Sequence, residues 1–275
     1  MMLRLGHIDY SNCLPVHATL LEQPAANIQI VHGTPAELND ALHSGVIDVA
    51  PASSIEYARH PDRYRILPGL VIGSFGPVQS IRLESTVHIE SLGDARVAVP
   101  TASATSVVLL RILLELRYGL HAHFHWYDQA DQVDPLDESA AAALRIGDIA
   151  LRRRPRPDRV FYDLGELWTD WTGLPFAFAL WQTNLPEARD SELAQLTAEL
   201  QTSKQATLRH PAALARRHAA HFGLPAEQLA AYWSGLRYDF DEAMMLGLLR
   251  YYELAVQLGE VPAVPELRLL QVQNL

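Results

Sequence analysis

The chain has 275 residues, 49% hydrophobic and 20% charged, with a formal charge of -10, a composition that suits a globular protein of one large or two smaller domains. The acidic balance argues against general nucleic-acid or anionic-membrane binding, since both need a basic face. No window nears the roughly 18 apolar residues of a membrane span and no N-terminal apolar run suggests export, so a cytoplasmic protein is expected.

Taken in order, "LRLGHI" reads as a first strand, "VHATLLE" as a short helix and "NIQIVHG" as an alternating strand. "TPAELNDALHSG" has Thr34 as N-cap, Pro35 at the first helical position and Gly45 as stop. "VIDVAP" is a buried strand, and "SSIEYARHPDRY" opens another helix. "RILPGLVIGSFG" and "VQSIRLES" follow as strands, then "ARVAVP", then the strongest helix, "TASATSVVLLRILLELRYG", with Gly119 as C-cap. "HAHFHWY" resumes as a strand, "LRIGDIAL" and "VFYDLG" flank the basic loop "RRRPRPDR", and "LPFAFALWQ" is a last central strand before a helical tail from Glu187 to Leu258. Strands alternating with helices through short connections predict an α/β fold of two lobes. Lobe 1 is expected over 1–84 and again, mainly helical, over 182–275, with lobe 2 over 85–181. The chain would cross between them near Gln79 to Ser85 and near Leu180 to Asn184, placing a ligand cleft at the strand ends.

Two strand-to-helix turns carry clustered hydroxyls. "VPTASATSVV" sets Thr101, Ser103, Thr105 and Ser106 at the start of a long helix, where free backbone N–H groups and the helix dipole favour a carboxylate or phosphate. "APASSIEYA" repeats the arrangement with Ser53 and Ser54, although Ser53 with Glu56 also reads as a capping box. Two such turns facing one cleft suit a ligand with two carboxylates. His121, His123 and His125 alternate along a strand, and His218 and His221 are spaced i, i+3 on a helix; neither group has a complete ligand set nearby, and a solvated face is the reading for the strand. The basic loop is a solvated turn. Cys13, the single cysteine, lies near His7 and His17 but lacks a nucleophile signature, and it excludes disulfides and multi-cysteine metal centres. There is no dinucleotide fingerprint or P-loop.

"IDYSNCLP" at Ile8 to Pro15 resembles a Tyr-x-Asn-x-x-Pro signature, and "GPVQS", "IGD" and "YDLG-x-x-W" follow in order. Together they resemble the chorismate dehydratases of the futalosine route to menaquinone across almost the whole chain. The paralogous 1,4-dihydroxy-6-naphthoate synthases share the fold but usually begin with a Ser-Pro-Cys-Pro-Asn-Asp type segment. The resemblance implies a type II periplasmic-binding-protein fold, chorismate as a dicarboxylate substrate, and no metal or cofactor. It implies Asn12 and Ser80 at the reacting centre, with Tyr10 shaping the cleft; Asp148 is the nearest motif carboxylate, read as a substrate-binding residue or as one that only caps or positions, and Ser53, Ser54, Ser103, Thr105 and Ser106 are expected around the substrate carboxylates. A non-catalytic binding protein for a small anion is the alternative of a different class.

Overall fold

The computed structural model describes residues 2–131 and 133–271. Strands β1 (Leu3–Ile8), β2 (Ile28–Gly33), β3 (Val49–Ser53) and β4 (Arg65–Ser74) alternate with helices α1 (Leu14–Glu22), α2 (Pro35–Ser44) and α3 (Ser54–Arg59). The middle of the chain holds β5 (Ile81–Ser85), β6 (Arg96–Pro100), α4 (Ala104–Ile112), β7 (His123–Tyr127), α5 (Pro135–Glu138), β8 (Ala142–Ile146), α6 (Gly147–Arg152), β9 (Val160–Asp163) and α7 (Leu164–Thr172). β10 (Phe176–Thr183) precedes α8 (Asp190–Arg209), α9 (Pro211–Phe222), α10 (Ala226–Gly235), the two-residue β11 (Leu236–Arg237) and α11 (Glu242–Gln257).

Local chemistry sets the ends of several elements. Thr34 caps α2 through a full capping box with Glu37, and Gly45 closes that helix at φ 77°, a conformation glycine adopts without a Cβ clash. Ser103 caps α4 by accepting the Ser106 N–H. Helix α4 passes into a π-helical turn over Leu113–Arg117, ahead of Gly119 at φ 69°.

The strands form two sheets. One has six strands in the order β11-β4-β10-β3-β1-β2 and the other five in the order β7-β6-β8-β5-β9. In the first, β1 is parallel to β2 and β3, while β10 runs antiparallel between β3 and β4. In the second, β6 is parallel to β7 and β8, and β5 is antiparallel to β8 and β9. This moves the expected joints. Residues 81–85 already pair within the second sheet, and 176–183 already pair within the first, so the chain crosses between Ser74 and Ile81 and again between Asp163 and Phe176. An apolar β-branched run specifies a strand but not the sheet that receives it.

The C-terminal helices buttress the first sheet and reach the second lobe. On α11, the Tyr252 hydroxyl donates to the Ser54 carbonyl at 2.6 Å and Tyr251 to the Thr105 carbonyl at 3.2 Å. Among the described residues, no helix is long and apolar enough to cross a membrane.

Candidate active site

A cavity opens between the sheets where the end of β1, the crossover turn after β4, the start of α4 and the end of β8 converge. Its polar wall is Tyr10, Asn12, Ser53, Ser80, Ser103 and Ser106, over an apolar floor that includes Ile72, Ile81, Ile146 and Phe178. None of the lining residues is charged. It has about 50 Å³ of room, far below the roughly 300–1,000 Å³ of ordinary ligand pockets.

The loop that carries Asn12 is gripped from three sides. The Ser11 carbonyl accepts the Trp233 indole N–H at 2.8 Å, the Asn12 carbonyl accepts the Tyr238 hydroxyl at 2.9 Å, and the Ser11 backbone N–H and hydroxyl both donate to Asp148. The side chain of Asn12 is thereby aimed by its backbone, and its Oδ1 is buried without a hydrogen-bond partner among the described residues. A buried amide oxygen left unpaired costs free energy unless something supplies a donor. Burial pushes the Tyr10 phenol up to about 12, so it stays protonated beside the loop. Gly147 permits Tyr10 its place: at φ 62° it has no side chain, and a Cβ there would sit 2.8 Å from the Tyr10 ring.

Ser80 is delivered by the crossover turn. Gln79 is held at φ 62°, an unfavourable conformation for a residue with a Cβ. The carboxylate of Asp163 stabilises it, accepting the N–H groups of Val78 at 2.9 Å and Gln79 at 2.6 Å while capping α7 through Gly165 and Glu166. Burial pushes the Asp163 carboxyl up, and these backbone donors oppose that shift. Gly165 is required by the same packing, since a Cβ would meet the Ser74 hydroxyl at 2.6 Å and the Gly76 carbonyl at 2.7 Å. This accounts for Asp-x-Gly in the "YDLG" motif: the aspartate clamps the turn and the glycine lets it approach.

Tyr232 on α10 completes the polar centre. Its side chain is 1% exposed and its hydroxyl donates to Ser80 Oγ at 2.8 Å. In the sequence "LAAYWSG" it reads as a core aromatic of an amphipathic helix, and its separation of 152 residues from Ser80 leaves no local signal.

Three expected residues lie elsewhere. Ser54 donates to the Ala177 carbonyl at 2.8 Å and meets Thr105 Oγ1 at 3.4 Å, while Thr105 accepts the Ile55 N–H at 3.2 Å. These hydroxyls join the starts of α3 and α4 and are absent from the cavity wall, because a helix turns successive side chains by about 100° and only Ser103 and Ser106 face inward. Asp148 is also absent from the wall; it is spent on Ser11, tying the second lobe to the first, and burial pushes its carboxyl up against those bonds. Ser53 lines the cavity but makes no side-chain cap, so the capping box with Glu56 does not form.

The histidine strand His123–Tyr127 is the edge strand β7, with His121 just before it, 81% exposed and 3.8 Å from Glu115. Two arginines of the basic loop bond the rest of the fold, Arg153 to Glu84 and Asp134 and Arg152 to the Phe222 carbonyl, while Arg154 and Arg156 are exposed as a solvated turn requires. Cys13 is fully buried, and desolvation pushes its thiol up to about 12 although His7 Nδ1 lies 3.5 Å away; it is no nucleophile. His7 recurs in two groups of metal-ligand type atoms, with Cys13 and His17 and with Asp9 and His32. Trp181 disposes of it as a ligand. The indole N–H donates to His17 Nε2 at 2.9 Å, so His17 gives its Nδ1–H to His7 Nδ1 at 3.0 Å. Neutral His7 then holds its proton on Nε2, and its one ring lone pair, on Nδ1, is taken up by the His17 N–H rather than free for a cation.

Against known families, the profile described as menaquinone biosynthesis matches residues 3–257. The chain belongs to that family. Within it, similarity extends to the chorismate dehydratase of Thermus thermophilus, 31% identical over 90% of this chain and 93% of that one. The chorismate dehydratase of Campylobacter jejuni is 30% identical over 63% of this chain and 64% of its own. Among solved structures, a protein of Archaeoglobus fulgidus superposes with a TM-score of 0.76 at 20% identity, covering 94% of this chain and 98% of its own. The periplasmic aliphatic sulphonate binding protein of Escherichia coli superposes at 0.68 and 16% identity, over 100% of this chain and 93% of its own. The two-lobed fold of this family member is therefore that of the periplasmic binding proteins, with its cavity between the lobes.

Proposed function

We propose that the chain is a chorismate dehydratase, converting chorismate to 3-[(1-carboxyvinyl)oxy]benzoate and water in menaquinone biosynthesis. The near full-length likeness to the Thermus thermophilus chorismate dehydratase carries the reading, and the chemistry of the cavity fits it. Elimination takes the ring C–H at the ether carbon and the hydroxyl on its neighbour. The C–H electron pair becomes a ring double bond, the C–O pair leaves with oxygen, and proton and hydroxide depart as water. Aromatisation supplies the driving force, so the protein has to orient the substrate and stabilise the departing oxygen.

Ser106, whose oxygen accepts the Ser103 O–H at 3.0 Å and whose own proton is left to give, and the start of α4, a nine-residue helix, offer hydroxyl and dipole to one carboxylate, with Ser53 across the cavity for the second. Asn12 and Ser80 stand at the reacting carbon and its leaving group. No lining side chain is a base at neutral pH, which supports proton removal by the substrate's own side-chain carboxylate. The small cavity requires the lobes to part for the ring to enter and to close again around it. The test is to incubate purified protein with chorismate and follow the mass of the product. A species lighter by one water supports the reading, and unchanged chorismate at high enzyme concentration defeats it.

A further inference from the structure

We infer that Tyr232 is a positioning residue that fixes the direction of the Ser80 hydroxyl, which together with Asn12 Oδ1 makes a receptor for one substrate hydroxyl. The inference rests on the dehydratase reading of the cavity and adds to it the roles of the individual atoms.

The direction follows from donor counting. Tyr232 has one O–H, and it points to Ser80 Oγ at 2.8 Å. Ser80 therefore accepts at its oxygen and keeps its own proton to give. Asn12 supplies the acceptor: its Oδ1 is buried without a partner among the described residues, and both Asn12 and Ser80 line the cavity.

One free donor and one free acceptor, both on the cavity wall, match a hydroxyl group, which needs each. Ser80 donates to the oxygen of the substrate hydroxyl and Asn12 Oδ1 accepts its hydrogen. As the C–O bond breaks and the oxygen takes the bonding pair, the Ser80 O–H strengthens its bond to the developing hydroxide. The proton released from the ring carbon completes the water. Tyr232 transfers no proton; it is buried and acts by holding the Ser80 hydroxyl in register. If the phenol were absent, Ser80 could turn its hydroxyl away from the substrate and leave the departing oxygen without its donor.

The test is Tyr232→Phe, which removes one oxygen and leaves the ring. The expected result is a kcat lower by roughly 10- to 100-fold with KM within about threefold, as for loss of alignment at a transition state. The melting temperature should stay within roughly 4 °C. In a Ser80→Ala background the second change should cost less than about twofold, because the two residues act as one unit. Wild-type kcat in the single variant, or effects that multiply in the double variant, would overturn the inference. Crystal structures of wild type and Tyr232→Phe read the same point without turnover. A changed Ser80 rotamer is expected, and an unchanged Ser80 side chain in the variant would overturn it. Failure of the wild-type protein to dehydrate chorismate would instead count against the functional reading, and the two structures would still decide the role of Tyr232.

Discussion

Replacing Asp163 by asparagine should loosen the turn that presents Ser80. In the folded chain Oδ1 accepts from Val78, Gly165 and Glu166, and Oδ2 accepts from Gln79 at 2.6 Å. Asparagine can keep the first oxygen, but its amide NH₂ then faces the Gln79 N–H, donor against donor. One charge-assisted hydrogen bond is lost and one backbone donor is stranded, together about 2–4 kcal/mol, offset in part because a neutral amide is cheaper to bury than a carboxylate. Holding Gln79 at φ 62° costs about 1–2 kcal/mol, so an unclamped turn relaxes toward negative φ and carries Ser80 with it. The net expectation is a loss of about 2–3 kcal/mol in urea unfolding followed by tryptophan fluorescence, and a kcat lower by roughly 10-fold or more in conditions where the variant is folded. Stability within about 1 kcal/mol of wild type together with unchanged kcat would refute the clamp.

The buried pair His7 and His17 should destabilise the fold in mild acid. Unfolded, His7 titrates near 6.5, whereas burial lowers it to about 4 in the folded chain, so between those values the unfolded state binds the extra proton and stability falls as pH falls. From pH 7 to pH 5, His7 alone removes about 2 kcal/mol; His17, lowered further by burial, acts in the same direction. Denaturant titrations at both pH values, compared with a His7→Phe variant, should show a steeper loss in wild type, and equal slopes would exclude it. Gly147→Ala places a methyl 2.8 Å from the Tyr10 ring at φ 62°, so stability should fall by roughly 1–2 kcal/mol and chorismate KM should rise as the ring is driven into the cavity; an unchanged KM would remove Tyr10 from the wall. Thr105→Val should cost about 1–2 kcal/mol with KM unchanged, and a raised KM at normal stability would return Thr105 to the binding set. Cys13→Ala should turn over at nearly the wild-type rate, since its thiol is sealed away from the cavity, and a dead but folded variant would revive a nucleophile.

What could be read from sequence is what local chemistry decides. The alternation at "NIQIVHG" and the caps Thr34 and Gly45 mark a strand and a helix by short-range rules, and they form as expected. Asn12, Ser80, Ser103 and Ser106 sit at strand ends and helix starts, the places where this topology puts a cleft, and all four line it. Thr105 and Ser106 are neighbours of the same polarity; which one faces inward depends on the rotation of α4 against α3, which spacing within the helix does not encode. Asp148 had the chemistry of a substrate-binding residue, yet its carboxylate is consumed by Ser11, 137 residues away in sequence. Tyr232 and Asp163 escaped for the same reason. Each acts on Ser80 or its turn from a distant segment, and only the folded chain brings them together.

The most direct measurement of the central claim is a proton NMR time course of the purified protein with chorismate and, separately, with a cyclic futalosine-type substrate, using Asn12→Ala as control. The expected result is replacement of the chorismate ring signals by those of a 1,3-disubstituted benzoate with the enolpyruvyl protons retained, no change in the second substrate, and little conversion by the variant. Intact chorismate, or turnover of the cyclic futalosine-type substrate in its place, would contradict the assignment.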